Sequence, residues 1–289
     1  MISYFKKLKI LDRIALIIFI LGSPFGFYAS FIEPFTLKTV TWLVDTKKWP
    51  YQHEIKIALL TDTHMIRPWM TAHHLEKIVE ETNKLHPDLT LLLGDYVGTH
   101  RLGFQLKPEE GLAPLKALSA SCGVYAILGN HDLHGSKGWP EALTKTGISV
   151  LQNQAVPVNC HGNRFWVAGL EELWWQHADI TKTLAQVTDS NPIIMMMHNP
   201  DSFPNIPQSV ALSVAGHTHG GQVKIPFYGP VASVIPSKYG TRYVYGHIIE
   251  EGKDLVVSSG LGMTALPIRF LTPPEISVVT LINSNPSKE

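Results

Sequence analysis

Five short polar motifs, each directly after an apolar and strand-like run, constrain the fold of this chain more than any other feature of its sequence. Ligands of α/β proteins gather beyond the carboxyl ends of the strands, so motifs that are distant in sequence can converge on one edge of a sheet. Carboxylates, imidazoles and an amide gathered in this way predict a metal site. The motifs are Asp62-Thr63-His64, Gly94-Asp95, Gly129-Asn130-His131-Asp132, His198 and Gly216-His217-Thr218-His219.

The apolar periodicity predicts an α/β (α+β) fold. Early β-α-β alternation, with a helix-like spacing over residues 75–85, gives way to a strand-rich second half. We therefore expect two packed mixed β-sheets flanked by helices, an αββα sandwich. A hairpin is predicted where Glu251-Gly252-Lys253 separates two apolar runs. The other predicted strands span residues 55–60, 89–93, 124–128, 149–151, 165–170, 192–197, 211–215 and 276–282.

The amino terminus differs from the rest of the chain. Residues 14–32 are apolar and uncharged, which is about the length that crosses a hydrocarbon core. Gly22-Ser23-Pro24 interrupts the stretch, so a kinked, shallow or re-entrant segment is an alternative to a full span. A cleaved signal peptide is another alternative, but an Ala-x-Ala cleavage site is missing, which favours a retained membrane anchor. The basic residues before the stretch are Lys6, Lys7, Lys9 and Arg13.

Composition and charge exclude several classes of protein. Hydrophobic residues make up 45% and charged residues 17% of the 289 residues, which is a globular composition that suits some membrane contact. The formal net charge is zero, so no nucleic-acid partner is expected. The two cysteines are too few for a disulfide framework, and a cysteine-based zinc site is not expected.

The mixture of ligand types indicates which metals fit. Carboxylate, imidazole and amide groups suit divalent Mn, Fe or Zn, whereas Ca²⁺ and Mg²⁺ prefer shells made only of oxygen. Two such ions, roughly 3.5–4 Å apart, can clamp the attacking and leaving oxygens of a phosphate ester, and a water between them becomes hydroxide near neutral pH. We therefore expect two divalent metal ions and a phosphate-ester substrate.

In their order along the chain, the five motifs resemble those of the calcineurin-like metallophosphoesterase superfamily. Further motifs resemble a narrower branch of membrane-associated bacterial phosphoesterases, which includes a pyrophosphatase acting on UDP-2,3-diacylglucosamine in lipid A synthesis. The resemblance covers nearly the whole chain, since an apolar amino-terminal anchor is typical of that branch. The further motifs are Gly220-Gly221-Gln222, Tyr239-Gly240-x-Arg242-Tyr243, Gly260-Leu261-Gly262, Pro267-x-Arg269-Phe270 and Pro273-Pro274-Glu275.

The resemblance implies a role for each motif residue. His131 would sit near the leaving group as an acid, or stabilise the charge of the transition state. Asp132 would orient His131 through a ring nitrogen. The implied metal ligands are Asp62, His64 and His219 for the first ion, Asp95 as the bridge, and Asn130, His198 and His217 for the second ion.

These observations divide the chain into a membrane anchor at residues 1–32, a connector at 33–52 and a metallophosphoesterase domain at 53–289. Basic residues before the anchor predict a cytoplasmic amino terminus. The expected location is therefore the cell membrane. A spanning anchor would place the domain outside the cytoplasm and a shallow one would leave it inside, so the side of the membrane that carries the domain is left open.

The expected activity is hydrolysis of a phosphodiester or pyrophosphate bond in a substrate that is lipid-linked or nucleotide-linked. Cleavage of the lipid A precursor is one alternative, and a non-catalytic metal-binding scaffold is another. A serine hydrolase is not expected, since a Gly-x-Ser-x-Gly elbow is missing. Trp174-Trp175 fits either core packing or a membrane interface, and Trp69 fits either packing or a wall for a lipid chain. The oligomeric state is left open.

Overall fold

A computed structural model describes residues 10–99, 102–133, 137–174 and 177–285 of the chain. Two six-stranded mixed sheets pack face to face, and helices flank them. The predicted α/β fold with packed mixed sheets flanked by helices is therefore confirmed. Lys6, Lys7 and Lys9, which begin the predicted anchor, lie outside the described residues.

The first sheet combines strands from both ends of the domain. In spatial order the strands are β1 (Lys38–Asp45), β16 (Glu275–Ile282), β2 (Ile55–Leu60), β4 (Leu89–Leu92), β6 (Val124–Ala126) and β7 (Ser149–Val150). Strands β2, β4, β6 and β7 are parallel, whereas β16 runs antiparallel to β2. Strand β4 buries every side chain, as expected for a parallel strand that is covered on both faces.

The second sheet has four parallel central strands and an antiparallel strand at each edge. The predicted hairpin is β14-β15. Strand β8 was not predicted from its sequence; it lies at the sheet edge, where Pro157 is tolerated. In spatial order the strands are β14 (Gly246–Glu250), β15 (Lys253–Val257), β11 (Leu212–Ala215), β10 (Ile193–Met196), β9 (Asn163–Gly169) and β8 (Gln154–Cys160).

Helices cover the sheets, and two small ribbons lie apart from them. The helix over residues 72–84 begins where the Thr71 hydroxyl accepts the backbone N–H of His74 at 3.2 Å, and it buries Leu75 and Ile78. The helices are α1 (Ile10–Phe31), α2 (Ala72–Lys84), α3 (Pro108–Leu112), α4 (Asn130–Leu133), α5 (Trp139–Thr144) and α6 (Ile180–Leu184). The ribbons pair β3 (Ile66–Arg67) with β5 (Phe104–Gln105), and β12 (Lys224–Ile225) with β13 (Gly229–Pro230).

The segments before the first catalytic motif are attached to the domain. The predicted connector, residues 33–52, contributes strand β1, which pairs along its whole length with β16. The carboxyl end of α1 is also fixed, because the Arg269 backbone N–H donates to the carbonyl of Ala29 at 2.8 Å. The Trp69 indole N–H donates to the carbonyl of Ser30 at 3.0 Å. Among the described residues, the structure contains no helix of sufficient length and apolarity to cross a membrane.

The two cysteines of the chain form a disulfide. Cys122 lies just before β6 and Cys160 ends β8, so the bond joins the two sheets. It lies at the sheet ends opposite the five motifs, since the motifs follow the carboxyl ends of the parallel strands. The sequence analysis expected no disulfide framework, and the sequence alone did not indicate that the two cysteines meet.

Candidate metal centre

The fold brings all five motifs to one edge of the paired sheets. Asp62 and His64 follow β2, and Asp95 follows β4. The glycines of the motifs allow close approach: a Cβ on Gly129 would lie 2.2 Å from Asp95 Oδ1, and one on Gly216 would lie 2.5 Å from Asp62 Oδ2. The remaining motif residues follow β6 (Asn130, His131 and Asp132), β10 (His198) and β11 (His217 and His219).

The first cluster of candidate ligands contains Asp62, His64 and His219, all of them buried. The Nε2 atoms of His64 and His219 lie 3.1 Å apart. Asp62 Oδ1 lies 3.4 Å from His219 Nε2 and 4.0 Å from His64 Nε2. The other carboxylate oxygen of Asp62 accepts the Thr61 hydroxyl at 2.7 Å and the His217 backbone N–H at 2.9 Å. These bonds leave Oδ1 directed at the two imidazoles.

The second cluster contains Asp95, His198 and His217, with Asn130 beside them. His198 Nε2 lies 3.2 Å from Asp95 Oδ2 and 3.1 Å from His217 Nδ1. The Asn130 Oδ1 atom is also 3.1 Å from His198 Nε2. Asp95 Oδ2 is also 3.6 Å from His64 Nε2 in the first cluster. The Asp95 carboxylate therefore lies between the two clusters.

Backbone carbonyls fix which nitrogen of three imidazoles faces the clusters. His64 Nδ1 lies 3.0 Å from the Val97 carbonyl and His198 Nδ1 lies 2.7 Å from the Leu93 carbonyl. For His217 the contact is made by Nε2, at 2.9 Å from the Pro236 carbonyl. Because a carbonyl only accepts, the nitrogen that faces it carries the hydrogen, and the other ring nitrogen keeps its lone pair for a metal.

Burial and charge favour metal binding at this edge. Burial lowers the pKa of His64 and of His217 to about 3, and it lowers the pKa of His219 well below its usual value, so these rings stay neutral. Burial opposes the ionisation of Asp95, but His198 and His64 outweigh it and lower the pKa of Asp95. His219 Nδ1 is buried without a hydrogen-bond partner among the described residues. His198 differs, because Asp95 and Asp62 outweigh its burial and raise its pKa to about 10. Three neutral imidazoles beside an ionised carboxylate fit a divalent cation, which would replace the proton of His198.

His131 lies at the opening of the site, with about a quarter of its side chain exposed (26%). Its Nε2 atom is 4.0 Å from Asp95 Oδ2 and 3.5 Å from the Thr264 hydroxyl. Its Nδ1 atom is 2.7 Å from the Thr99 hydroxyl. The His131 ring therefore borders the clusters and also reaches the space in front of them.

Asp132 has a different role from the one predicted. We expected its carboxylate to orient the His131 ring, but the structure directs it at the backbone of the Asp95 loop. Its oxygens accept the backbone N–H groups of Asp95 and Tyr96, each at 2.7 Å, and of Gly129 at 2.9 Å. Burial raises the pKa of Asp132 to about 7, and the N–H groups of Gly129 and Tyr96 act in the opposite direction. Asp132 thus positions the loop that carries Asp95.

Arg269 holds the loop that contacts Asp62, and the sequence did not predict this role. Its side chain is fully buried. Its guanidinium donates to the carbonyls of Ser259 and Gly262, at 2.9 Å each, and to that of Thr272 at 2.9 Å. The Gly262 backbone N–H in turn donates to the Asp62 carbonyl at 2.6 Å. The motifs around Gly260-Leu261-Gly262 and Arg269 were visible in the sequence, but their contact was not.

An open cavity of about 640 Å³ lies in front of the clusters. Trp174 borders it with its ring edge-to-face on His217, at 4.8 Å between ring centroids. Trp69 has no comparable space beside it, since the cavity that it lines has only about 10 Å³. The small cavity and the hydrogen bond to Ser30 favour packing over a lipid-chain wall at Trp69. Trp175 lies outside the described residues.

The family that this geometry indicates is borne out by comparison with known proteins. Residues 55–222 match the model of the calcineurin-like phosphoesterase family. The uncharacterized metallophosphoesterase YkuE of Bacillus subtilis (strain 168) is 32% identical over 271 residues, which are 91% of this chain and 92% of that protein. The chain therefore belongs to the calcineurin-like phosphoesterase family, and it is a metal-dependent phosphoesterase.

Two further relatives differ in what their names state. Phosphodiesterase YaeI of Escherichia coli (strain K12) is 28% identical over 232 residues, covering 78% of this chain and 82% of that protein. A zebrafish (Danio rerio) relative is named transmembrane protein with metallophosphoesterase domain. It is 28% identical over 242 residues, covering 78% of this chain and 53% of that protein.

Proposed function

We propose that the chain hydrolyses a phosphodiester or pyrophosphate bond at a dinuclear metal centre, in a substrate that is carried by a membrane. The observation that supports two ions rather than one is the position of Asp95. Its Oδ2 atom lies within 3.6 Å of an imidazole nitrogen in each cluster. A carboxylate between two sets of imidazoles suits a bridge between two cations.

The two clusters support one set of ligands for each ion. The first ion would be held by Asp62, His64 and His219, and the second by Asn130, His198 and His217, with Asp95 shared. When bound, two divalent ions of the Mn, Fe or Zn type lower the pKa of a water molecule and neutralise charge on the phosphate.

The remaining polar residues perform separate tasks. His131 faces the cavity and would donate a proton to the leaving oxygen, or stabilise the charge that develops on the phosphate. Asp132 keeps Asp95 in place through the loop backbone. Val97 and Leu93 carbonyls hold the rings of His64 and His198 in one orientation, so the site is formed before substrate binds.

The membrane association is part of the proposal. The uncharged segment 14–32 supports it, and a relative named as a transmembrane protein agrees with it. The disulfide bond and the basic residues before the segment favour a domain on the non-reducing side of the membrane. That side argues against the UDP-2,3-diacylglucosamine substrate, which requires cytoplasmic access.

The test is a metal-replete hydrolysis assay on the purified full chain, with bis-p-nitrophenyl phosphate beside UDP-2,3-diacylglucosamine. We expect Mn²⁺-dependent cleavage of the generic diester, its loss in Asp95→Asn and His131→Ala, and unchanged activity in the surface control His73→Ala. Metal analysis should give two ions per chain in the wild type, in His131→Ala and in His73→Ala, but fewer in Asp95→Asn. Strong preference for the lipid nucleotide would instead assign the lipid A reaction. Bound metals without any turnover would indicate a non-catalytic scaffold.

A further inference from the structure

Large apolar side chains are exposed around the mouth of the catalytic cavity. Val234 lines the cavity and is 71% exposed, and Leu266, next to the lining residue Ala265, is 57% exposed. Trp174, whose ring contacts that of His217, is half exposed. Single exposed apolar residues are ordinary, but a group of them around one opening indicates a partner.

The ribbon β12-β13 extends this group. Phe227 at its tip is fully exposed and Tyr228 is 74% exposed. The ribbon is joined to the mouth on both sides, because Gly221 precedes it directly after the His217 motif and Val234 follows it. Its first strand also contacts the segment behind Leu266, where the Lys224 N–H donates to the Phe270 carbonyl at 2.9 Å. We call Val234, Leu266, Phe227 and Tyr228 the rim.

The rim is continuous with the apolar amino-terminal helix. Phe270 contacts the rings of Phe25 and Tyr28 of α1, at centroid distances of 6.1 and 6.3 Å. Phe27 and Phe31 of the same helix are more than half exposed. Aromatic side chains at the end of an apolar helix are characteristic of the boundary between a bilayer and water. The rim therefore adjoins the part of the chain for which we propose membrane contact.

The segments that carry the rim residues contain basic residues but no acidic ones. Residues 202–249 and 255–274 contain no Asp or Glu, but they contain Lys224, Lys238, Arg242 and Arg269. Arg269 is buried and Arg242 pairs with Glu250 at 2.7 Å, whereas Lys238 is exposed. An apolar surface with an exposed lysine beside it complements an anionic lipid surface.

From these features we infer that the rim docks on an anionic lipid bilayer, so that the catalytic cavity opens toward lipid headgroups and takes its phosphate ester from one of them. This inference rests on the proposed function. A second copy of the chain is a poorer occupant, because a protein surface over the rim would close the cavity. A bilayer would instead present the substrate at the cavity mouth.

The first test of docking measures whether the rim enters the bilayer. The full chain is reconstituted into phosphatidylglycerol vesicles that contain brominated lipid, which quenches indole fluorescence on contact. Phe227→Trp adds an indole on the rim, and Ile249→Trp adds one at another strongly exposed position (69%) near the far end of β14. We expect quenching of the added fluorescence in Phe227→Trp and none in Ile249→Trp. Equal quenching in the two variants, or no quenching of the indole added by Phe227→Trp, would overturn the inference.

The catalytic consequence is tested with two substrates that share one leaving group. One is soluble bis-p-nitrophenyl phosphate, and the other is the p-nitrophenyl phosphodiester of diacylglycerol in vesicles. In the double variant Phe227→Ser and Tyr228→Ser we expect kcat/KM for the vesicle substrate to fall by about tenfold or more, since apolar contact area with the lipid is lost. Activity on the soluble diester should stay unchanged, as should both activities of Ile249→Ser.

The outcomes separate the two proposals. If the double variant cleaves the vesicle substrate as well as the wild type, or loses both activities equally, the docking inference is wrong while the proposed hydrolysis stands. If the wild-type chain cleaves neither diester, the proposed function fails, and the quenching experiment still decides whether the rim enters the bilayer.

Discussion

Reduction of the Cys122–Cys160 bond should destabilise the fold without impairing the catalytic centre. The two residues are 38 positions apart, and opening a loop of that length restores an unfolded-state entropy worth about 4 kcal/mol at 25 °C. The bond joins the two sheets at the strand ends opposite the metal clusters, so its loss should leave the distances around Asp95 unchanged.

The assay compares oxidised and reduced forms of the same chain by urea unfolding, which avoids a mutation at the buried Cys160. Both forms are measured with a chelator present, since the freed thiols would lie beside Asp88 and His161 and could bind zinc. The midpoint should fall, and the slope should rise somewhat, because the reduced chain is less compact when it is unfolded. A difference below about 1 kcal/mol would refute the entropic account. A reduced protein that stays folded but loses diester hydrolysis would show that the disulfide and the metal clusters are coupled.

Three further predictions concern the site and its support. Arg269→Met should destabilise the protein by about 3 kcal/mol or more in urea, because three buried carbonyls lose their donor, whereas a small effect would show that water replaces the guanidinium. Gly262→Ala places a Cβ 2.1 Å from the Thr63 carbonyl and should cost about 1–3 kcal/mol, whereas the control Gly26→Ala meets open space. Removal of metal with a chelator should lower Tm, by the equivalent of about 2.7 kcal/mol relative to an ion at one hundred times its Kd. In Asp95→Asn, removal of the metal should lower Tm by less than in the wild type. An equal fall in Tm in the two proteins would argue against the assigned ligands.

The strands were largely predictable because the local signal was strong. The run at residues 55–60 is apolar and bounded by polar residues, and strand β2 has the same limits. Strand β8 carries a weaker signal, since Gln154, Pro157 and Asn159 alternate with its buried residues. Only its pairing with β9 makes this sequence a strand. The ribbon β12-β13 was missed for the same reason, as two-residue strands depend on contacts made by distant parts of the chain.

The convergence of the motifs was also predictable, because sheet topology places the carboxyl ends of parallel strands together. What each side chain contacts was not. The resemblance implied that Asp132 orients the His131 ring. The start of α4 turns the carboxylate toward the backbone of Asp95 and Tyr96 instead. Adjacent residues of a helix do not face each other, which agrees with this arrangement.

The backbone at the clusters explains why so much of the supporting structure lies outside the motifs. Asp62, His64, Asp95, His217 and His219 all have φ between 42° and 71°, the left-handed region that side chains other than glycine rarely adopt. Each such residue costs about 1–3 kcal/mol and persists only where its surroundings enforce it. The enforcement comes from Thr61, from the four backbone bonds of Asp132 and from the loop that Arg269 holds against Asp62. The ligands therefore identify the chemistry in the sequence, whereas the residues that hold them in this costly conformation become visible only in the fold.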